Sequence, residues 1–142
     1  MPLPTRTHAE VAIVDYGLGN LYSVKHACMH VGLRARITCD PSEILAADAT
    51  IVPGVGAFGD AMATLRRLDL VSALRDFVAT NRPFVGICLG LQLLMSESEE
   101  FGCHKGLGII DGMVVRFHES RLGGRQLKVP HISWNGIHRV RS

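Results

Sequence analysis

Cys88 stands between Gly86 and Gly90, one residue from each, at the end of an apolar run over residues 83–87. This is the Gly-x-nucleophile-x-Gly pattern, in which a strand turns sharply into a helix and presents a nucleophile at the turn. The glycines have a physical role. The turn strains the backbone at the nucleophile, and side chains two residues to either side would collide. A helix starting at Leu89 aims its N-terminal end at the sulfur, which favours the reactive thiolate. By itself the pattern leaves two readings open, an activated nucleophile or a core cysteine between two packing glycines.

Three further stretches carry residue types suited to work beside a thiol. Pro53-Gly54-Val55-Gly56 follows the apolar run 49–52. Such a loop either presents backbone N–H groups to an anion or developing oxyanion, or is a plain glycine turn. Gln92 lies four residues after Cys88, on the same side of the helix that follows, and either binds a polar substrate group or faces solvent. Glu100 closes the acidic stretch 96–100 and can bind an ammonium group or belong to a solvated loop. Residues 16–20, Tyr-Gly-Leu-Gly-Asn, lack the third glycine of a dinucleotide loop because position 22 is Tyr, so cofactor binding is discounted.

The elements that must position these groups alternate. Residues 11–14 form a short apolar run, the expected first strand. Leu21, Val24, Ala27, Cys28 and Val31 recur at helical spacing, and Gly32 ends that helix. Residues 34–38 fit a second strand, less apolar and so nearer an edge. Pro41 opens a short helix, residues 49–52 are a third strand, and 60–67 and 70–79 read as helices broken near Asp69. Residues 84–87 are the fourth strand, and the helix after it carries Leu91, Leu94 and Met95 on its apolar side. Later, residues 106–112 are glycine-punctuated, 114–117 read as a strand, Gly123-Gly124 as a turn, and 128–136 as a strand or loop with a lone Trp134. Strand and helix in alternation argue an α/β fold, a doubly wound, mostly parallel sheet with flanking helices. Sites in such sheets lie beyond the carboxyl ends of the strands, where loops 16–20, 53–59 and the Cys88 turn all fall.

The totals agree with one such domain. The chain has 142 residues, 47% hydrophobic and 20% charged, which suits a packed core. A net charge of +2 with no basic run gives no argument for nucleic acid. No apolar run approaches the ~18 residues of a membrane span, and no signal sequence is evident, so the expected location is cytoplasmic. None of the four cysteines forms a C-x-x-C pair, which argues against a zinc or thioredoxin motif. Residues 1–9 read as a loose leader before a domain over 10–142.

Taken in order, Asp15-Tyr16-Gly-x-Gly-Asn20, Pro53-Gly-Val-Gly-Ala-Phe58, Pro83-x-x-Gly86-x-Cys88-Leu89-Gly90-x-Gln92, Gly106-Leu-Gly108 and Pro130-His131-x-x-Trp134-Asn135 resemble the glutamine amidotransferase subunits of imidazole glycerol phosphate synthase, from about residue 11 to the end. The turn around Cys88 alone specifies only the class I amidotransferases, whose fold is flavodoxin-like. The resemblance implies that Cys88 attacks the side-chain amide of L-glutamine, forming a glutamyl thioester and releasing ammonia to a (β/α)8 barrel cyclase subunit in histidine biosynthesis. It implies oxyanion donors at Leu89 and in the 53–56 loop at Val55 and Gly56, the loop reorienting before it can donate. It places Gly54, Gln92 and Glu100 at the glutamine and Asn20, Trp134 and Asn135 near the cyclase interface. A core position for Trp134 is equally open on sequence. No metal or organic cofactor is implied, and neither is a membrane or nucleic-acid partner.

The chain departs from the pattern at Ser133, where Gly is expected, and at its end. Family members are about one-third longer. The expectation is a C-terminally truncated domain lacking its closing strands and the His-x-Glu pair that serves as general base. No Asp or Glu follows Glu119, and His104, His118, His131 and His138 have no carboxylate two residues on. The alternative reading is therefore a catalytically inactive cyclase-binding module. Negligible turnover is expected of these 142 residues alone, together with poor solubility from an exposed sheet face or edge.

Overall fold

The computed structural model describes residues 9–117, 134–138 and 140, and the backbone of 121–122 and 125–126. Apolar runs with short glycine or proline breaks become parallel strands, and the amphipathic stretches between them become helices. The order is β1 (Glu10–Val14), α1 (Leu21–His30), β2 (Arg34–Thr38), α2 (Pro41–Ala46), β3 (Ala49–Val52), α3 (Phe58–Arg67), α4 (Leu70–Ala79), β4 (Phe84–Gly86) and α5 (Leu89–Gln92). The four strands form one parallel sheet in the order β2-β1-β3-β4, so β2 is an edge as its weaker apolarity predicts.

Period-two alternation assigns the faces. Ala12, Val14 and Val52 point into the main core with Ile44 of α2, Met62 and Leu65 of α3, and Leu74 and Phe77 of α4. Ile13, Ile37, Ile51 and Val85 share a register row on the other face, where α1 lies. That face is only partly covered. Ile13 is fully buried, but Val85 is 47% and Ile87 40% exposed, and an apolar groove of about 450 Å³ runs between Val24, Ala27 and Val31 of α1 and Ile51 and Ile87. Of the apolar positions spaced along α1, Cys28 is the buried one.

Local chemistry sets the helix ends. Asn20 and Asp40 accept from the backbone N–H of Ser23 and Ser42, capping α1 and α2. The break near Asp69 is real, since Asp69 adopts a left-handed conformation (φ 55°, ψ 27°) between α3 and α4. Arg82 closes the far end of α2, its guanidinium donating to the Leu45 and Ala47 carbonyls while lying 4.4 Å over the Phe77 ring.

Past α5 the structure corrects the sequence reading. The helix ends at Gln92, and Met95 opens β5 (Met95–Ser98). The cause is a tertiary capture of carbonyls that a longer helix would use. Leu107 N–H donates to Leu93 O at 2.8 Å, Ile109 and Ile110 N–H both donate to Leu94 O at 2.9 Å, and Gly106 N–H donates to Ser96 O at 2.9 Å. β5 joins β6 (His104–Lys105) and β7 (Ile110–Val114) in a second small sheet, so the later strand begins before the 114–117 stretch expected from sequence. A final antiparallel pair, β8 (Arg121–Leu122) and β9 (Arg125–Gln126), brackets Gly123-Gly124. Residues 1–8, 123–124 and 127–133, which include most of the expected leader, Pro130, His131 and Ser133, lie outside the described residues.

Candidate active site

The loops after β1, β3 and β4 emerge side by side because those strands are neighbours in the sheet. The chain passes to β2 on one side of β1 and returns to β3 on the other, so this is also the point where the winding reverses.

Cys88 sits at φ 56° and ψ −119°, a backbone region that non-glycine residues seldom occupy. A Cβ on Gly90 would lie 1.8 Å from the Val52 carbonyl oxygen, and one on Gly86 would lie 2.7 Å from Leu91 Cα. Both flanking glycines are therefore required by contact. The turn is held by Ile87 N–H donating to Val52 O at 3.0 Å and by Leu91 N–H donating to Cys88 O at 3.0 Å. The thiol is exposed. Leu89 opens α5, so its N–H has no acceptor within the helix. Cys28, in contrast, is buried, and burial pushes its thiol pKa up.

The 53–56 loop lies directly on this turn. A Cβ on Gly54 would be 3.0 Å from Gly90 N, 3.0 Å from Leu89 Cβ and 2.4 Å from the Tyr16 hydroxyl. Pro53 and Gly54 are buried, Val55 and Gly56 exposed, and Gly56 has φ 104°. No hydrogen bond among the described residues engages the N–H of Val55 or Gly56. The sequence pattern assigns Tyr16 no role. Its hydroxyl, in a residue 2% exposed, donates to Pro53 O at 2.6 Å. Burial first, and the neighbouring Cys88 second, push the phenol up to about 12.

Gln92 ends α5, half-buried, its N–H donating to Cys88 O at 3.3 Å, so it sits one turn beyond Cys88. Glu100 is in no free acidic loop, because its carboxylate accepts from Phe58 N–H at 2.8 Å, just past the 53–56 loop. Asn20 is exposed on the loop after β1. Trp134 is fully exposed and Asn135 is exposed. Of the histidines, the His104 ring packs on Gly59 in the first turn of α3 and His138 lies by Gly136, while His118 and His131 fall outside the described residues. Among the described residues no group of three or more His, Cys, Asp or Glu is placed to hold a metal, and no helix is long and apolar enough to cross a membrane.

Residues 12–140 match the family described as glutamine amidotransferase class-I. The chain is similar to proteins named imidazole glycerol phosphate synthase subunit HisH. It is 49% identical over 127 residues to that of Rhodopirellula baltica, covering 89% of this chain and 60% of the relative. The figures are 50% over 125 residues, 88% and 60% for Sulfurimonas denitrificans, and 52% over 128 residues, 89% and 62% for Syntrophotalea carbinolica. The chain thus spans about 60% of the length of the curated relatives it matches. Among solved structures, a crystal structure of glutamine amidotransferase aligns with a TM-score of 0.61 at 21% identity, covering 75% of this chain and 56% of that one. A second crystal structure, of a protein from Listeria monocytogenes EGD-e, aligns with a TM-score of 0.53 at 15% identity, covering 66% of this chain and 53% of that one. At these identities the structural matches speak to fold alone.

Proposed function

The chain belongs to the class-I glutamine amidotransferase family, and we propose that it carries the nucleophile half of the ammonia-producing subunit of an imidazole glycerol phosphate synthase. The observation that best supports this is the seating of Gly54 against Leu89 and Gly90, which puts the 53–56 loop on the turn that exposes Cys88. A thiol with backbone donors on two sides is the apparatus for acyl transfer.

In the proposed reaction the Cys88 sulfur adds to the side-chain carboxamide carbon of L-glutamine. Leu89 N–H and the N–H groups of Val55 or Gly56 receive the oxyanion. Collapse expels ammonia, the thiol proton leaving with the amine, and a γ-glutamyl thioester remains. Water then releases glutamate and restores the thiol. Gln92, Glu100 and Gly54 hold the substrate. Asn20, Trp134 and Asn135 face the cyclase subunit that takes the ammonia, and the setting is the cytoplasm. The fully exposed indole of Trp134 supports an anchoring role. No metal or cofactor enters the scheme. Both steps need a proton carrier, and none of His104, His118, His131 and His138 has a carboxylate two residues on.

Binding and attack are therefore tested separately from turnover. The probe is 6-diazo-5-oxo-L-norleucine, a glutamine-shaped diazoketone. The thiol proton passes to its diazo carbon, dinitrogen leaves and a thioether forms. Labelling is expected at Cys88 in preference to the exposed Cys39 and Cys103, with excess glutamine protecting. Equal labelling of all three thiols without protection would defeat the proposal. Steady turnover of glutamine by the chain is expected to be lower by about 10⁴ or more than that of a relative with its base. A turnover close to such a relative, lost in Cys88→Ala, would show that another group carries the proton.

A further inference from the structure

We propose that Tyr16 is the positioning residue for the 53–57 loop, its buried hydroxyl fixing the Pro53 carbonyl so that the N–H groups that follow are presented to Cys88. The inference rests on the amidotransferase reading and assigns a role that reading leaves empty.

A buried hydroxyl is costly unless it is hydrogen-bonded, and the Tyr16 hydroxyl spends its donor on a single atom, Pro53 O, at 2.6 Å. That oxygen and the Gly54 N–H belong to one planar peptide unit, so holding the oxygen also sets the direction of the N–H. Contact reinforces the hold. A Cβ on Gly54 would meet the hydroxyl at 2.4 Å, and one on Gly19 would meet Gly54 N and Pro53 Cβ at 3.3 Å. The far end of the loop is held independently, Phe58 N–H donating to the Glu100 carboxylate at 2.8 Å. Between the two posts lie exposed Val55 and Gly56, with Gly56 at φ 104°. The loop is therefore clamped at both ends and open in the middle. A rotation of its peptides is confined to residues 54–57, which limits the reorientation needed before the N–H groups can donate. With its phenol pushed up to about 12, Tyr16 stays protonated and remains a donor throughout the neutral range.

The test compares two alkylations of Cys88 in the 142-residue chain, each resolved by peptide mass against Cys39 and Cys103. Iodoacetamide reports bare thiol reactivity. The diazoketone also places a carbonyl oxygen where the oxyanion would sit. In Tyr16→Phe the ratio of diazoketone to iodoacetamide rates is expected to fall about tenfold. Incorporating 4-aminophenylalanine at position 16, which keeps a donor, is expected to restore it. A packing role would be served equally by both replacements. If Tyr16→Phe does not fold, 4-fluorophenylalanine fills the space of the hydroxyl without donating and takes its place. Glutamine-protected labelling with an unchanged ratio overturns the role of Tyr16 and leaves the amidotransferase reading standing. No glutamine protection in the unsubstituted chain defeats that reading and this inference together.

Discussion

The Glu100 carboxylate accepts a hydrogen bond from the backbone N–H of Phe58 at 2.8 Å, across 42 residues of sequence. Phe58 is the first residue of α3, and Ala57 before it has no side chain that can cap. A negative charge at this helix end satisfies an orphan donor and complements the helix dipole. Glu100→Ala is expected to cost about 1 kcal/mol in urea unfolding. If Glu100 also holds glutamine, Glu100→Gln loses glutamine protection of Cys88 while keeping most of the stability. Protection unchanged in both variants would leave Glu100 as a cap alone.

Gly90→Ala tests the geometry of the turn. Its Cβ would lie 1.8 Å from Val52 O, in backbone that cannot swing away. A loss of about 3 kcal/mol or more is expected, with disordered labelling of Cys88. A melt like that of the unsubstituted chain would mean that the turn is built differently.

Thr50 is fully buried, and its hydroxyl oxygen has no hydrogen-bond partner among the described residues. Thr50→Val removes an unsatisfied polar atom at nearly constant shape. It is expected to be neutral or to stabilise by about 1 kcal/mol. A clear loss in the urea midpoint would indicate a hydrogen bond at this hydroxyl.

Tyr16 gives the fold an alkaline limit. Its phenol, pushed up to about 12, lies above the ordinary value of about 10. The folded state therefore holds the proton more tightly than the unfolded chain. The associated stability is full below pH 10 and is lost as pH rises towards 12. Its size is on the order of 2 kcal/mol. The difference in stability between the unsubstituted chain and Tyr16→Phe should shrink over that interval, with exposed Tyr22 common to both. A difference constant from pH 8 to 12 would contradict the burial of this hydroxyl.

The partly covered sheet face predicts self-association. Val85 and Ile87 are 47% and 40% exposed beside an apolar groove. Sedimentation velocity should reveal concentration-dependent association of the 142-residue chain, reduced in Val85→Lys. A monomer at all concentrations with a cooperative melt would refute this.

Much of the site was legible because it is written in local signals. The Gly86-Cys88-Gly90 spacing, the apolar runs of β1, β3 and β4 and the helix breaks at Gly32 and Asp69 act over a few residues. Their periodicity and glycine placement therefore determined the parallel α/β fold, the sharp turn at Cys88 and the loops beside it. What the tertiary structure decided depends on partners distant in sequence. The carbonyls of Leu93 and Leu94 go to residues 107–110, which ends the expected helix early and makes Met95 the start of β5. Tyr16 reaches Pro53 across 37 residues and Glu100 reaches Phe58 across 42. A run of residues reveals which side chains can donate or accept. Only the folded sheet brings its strand ends together and selects which backbone groups those side chains satisfy.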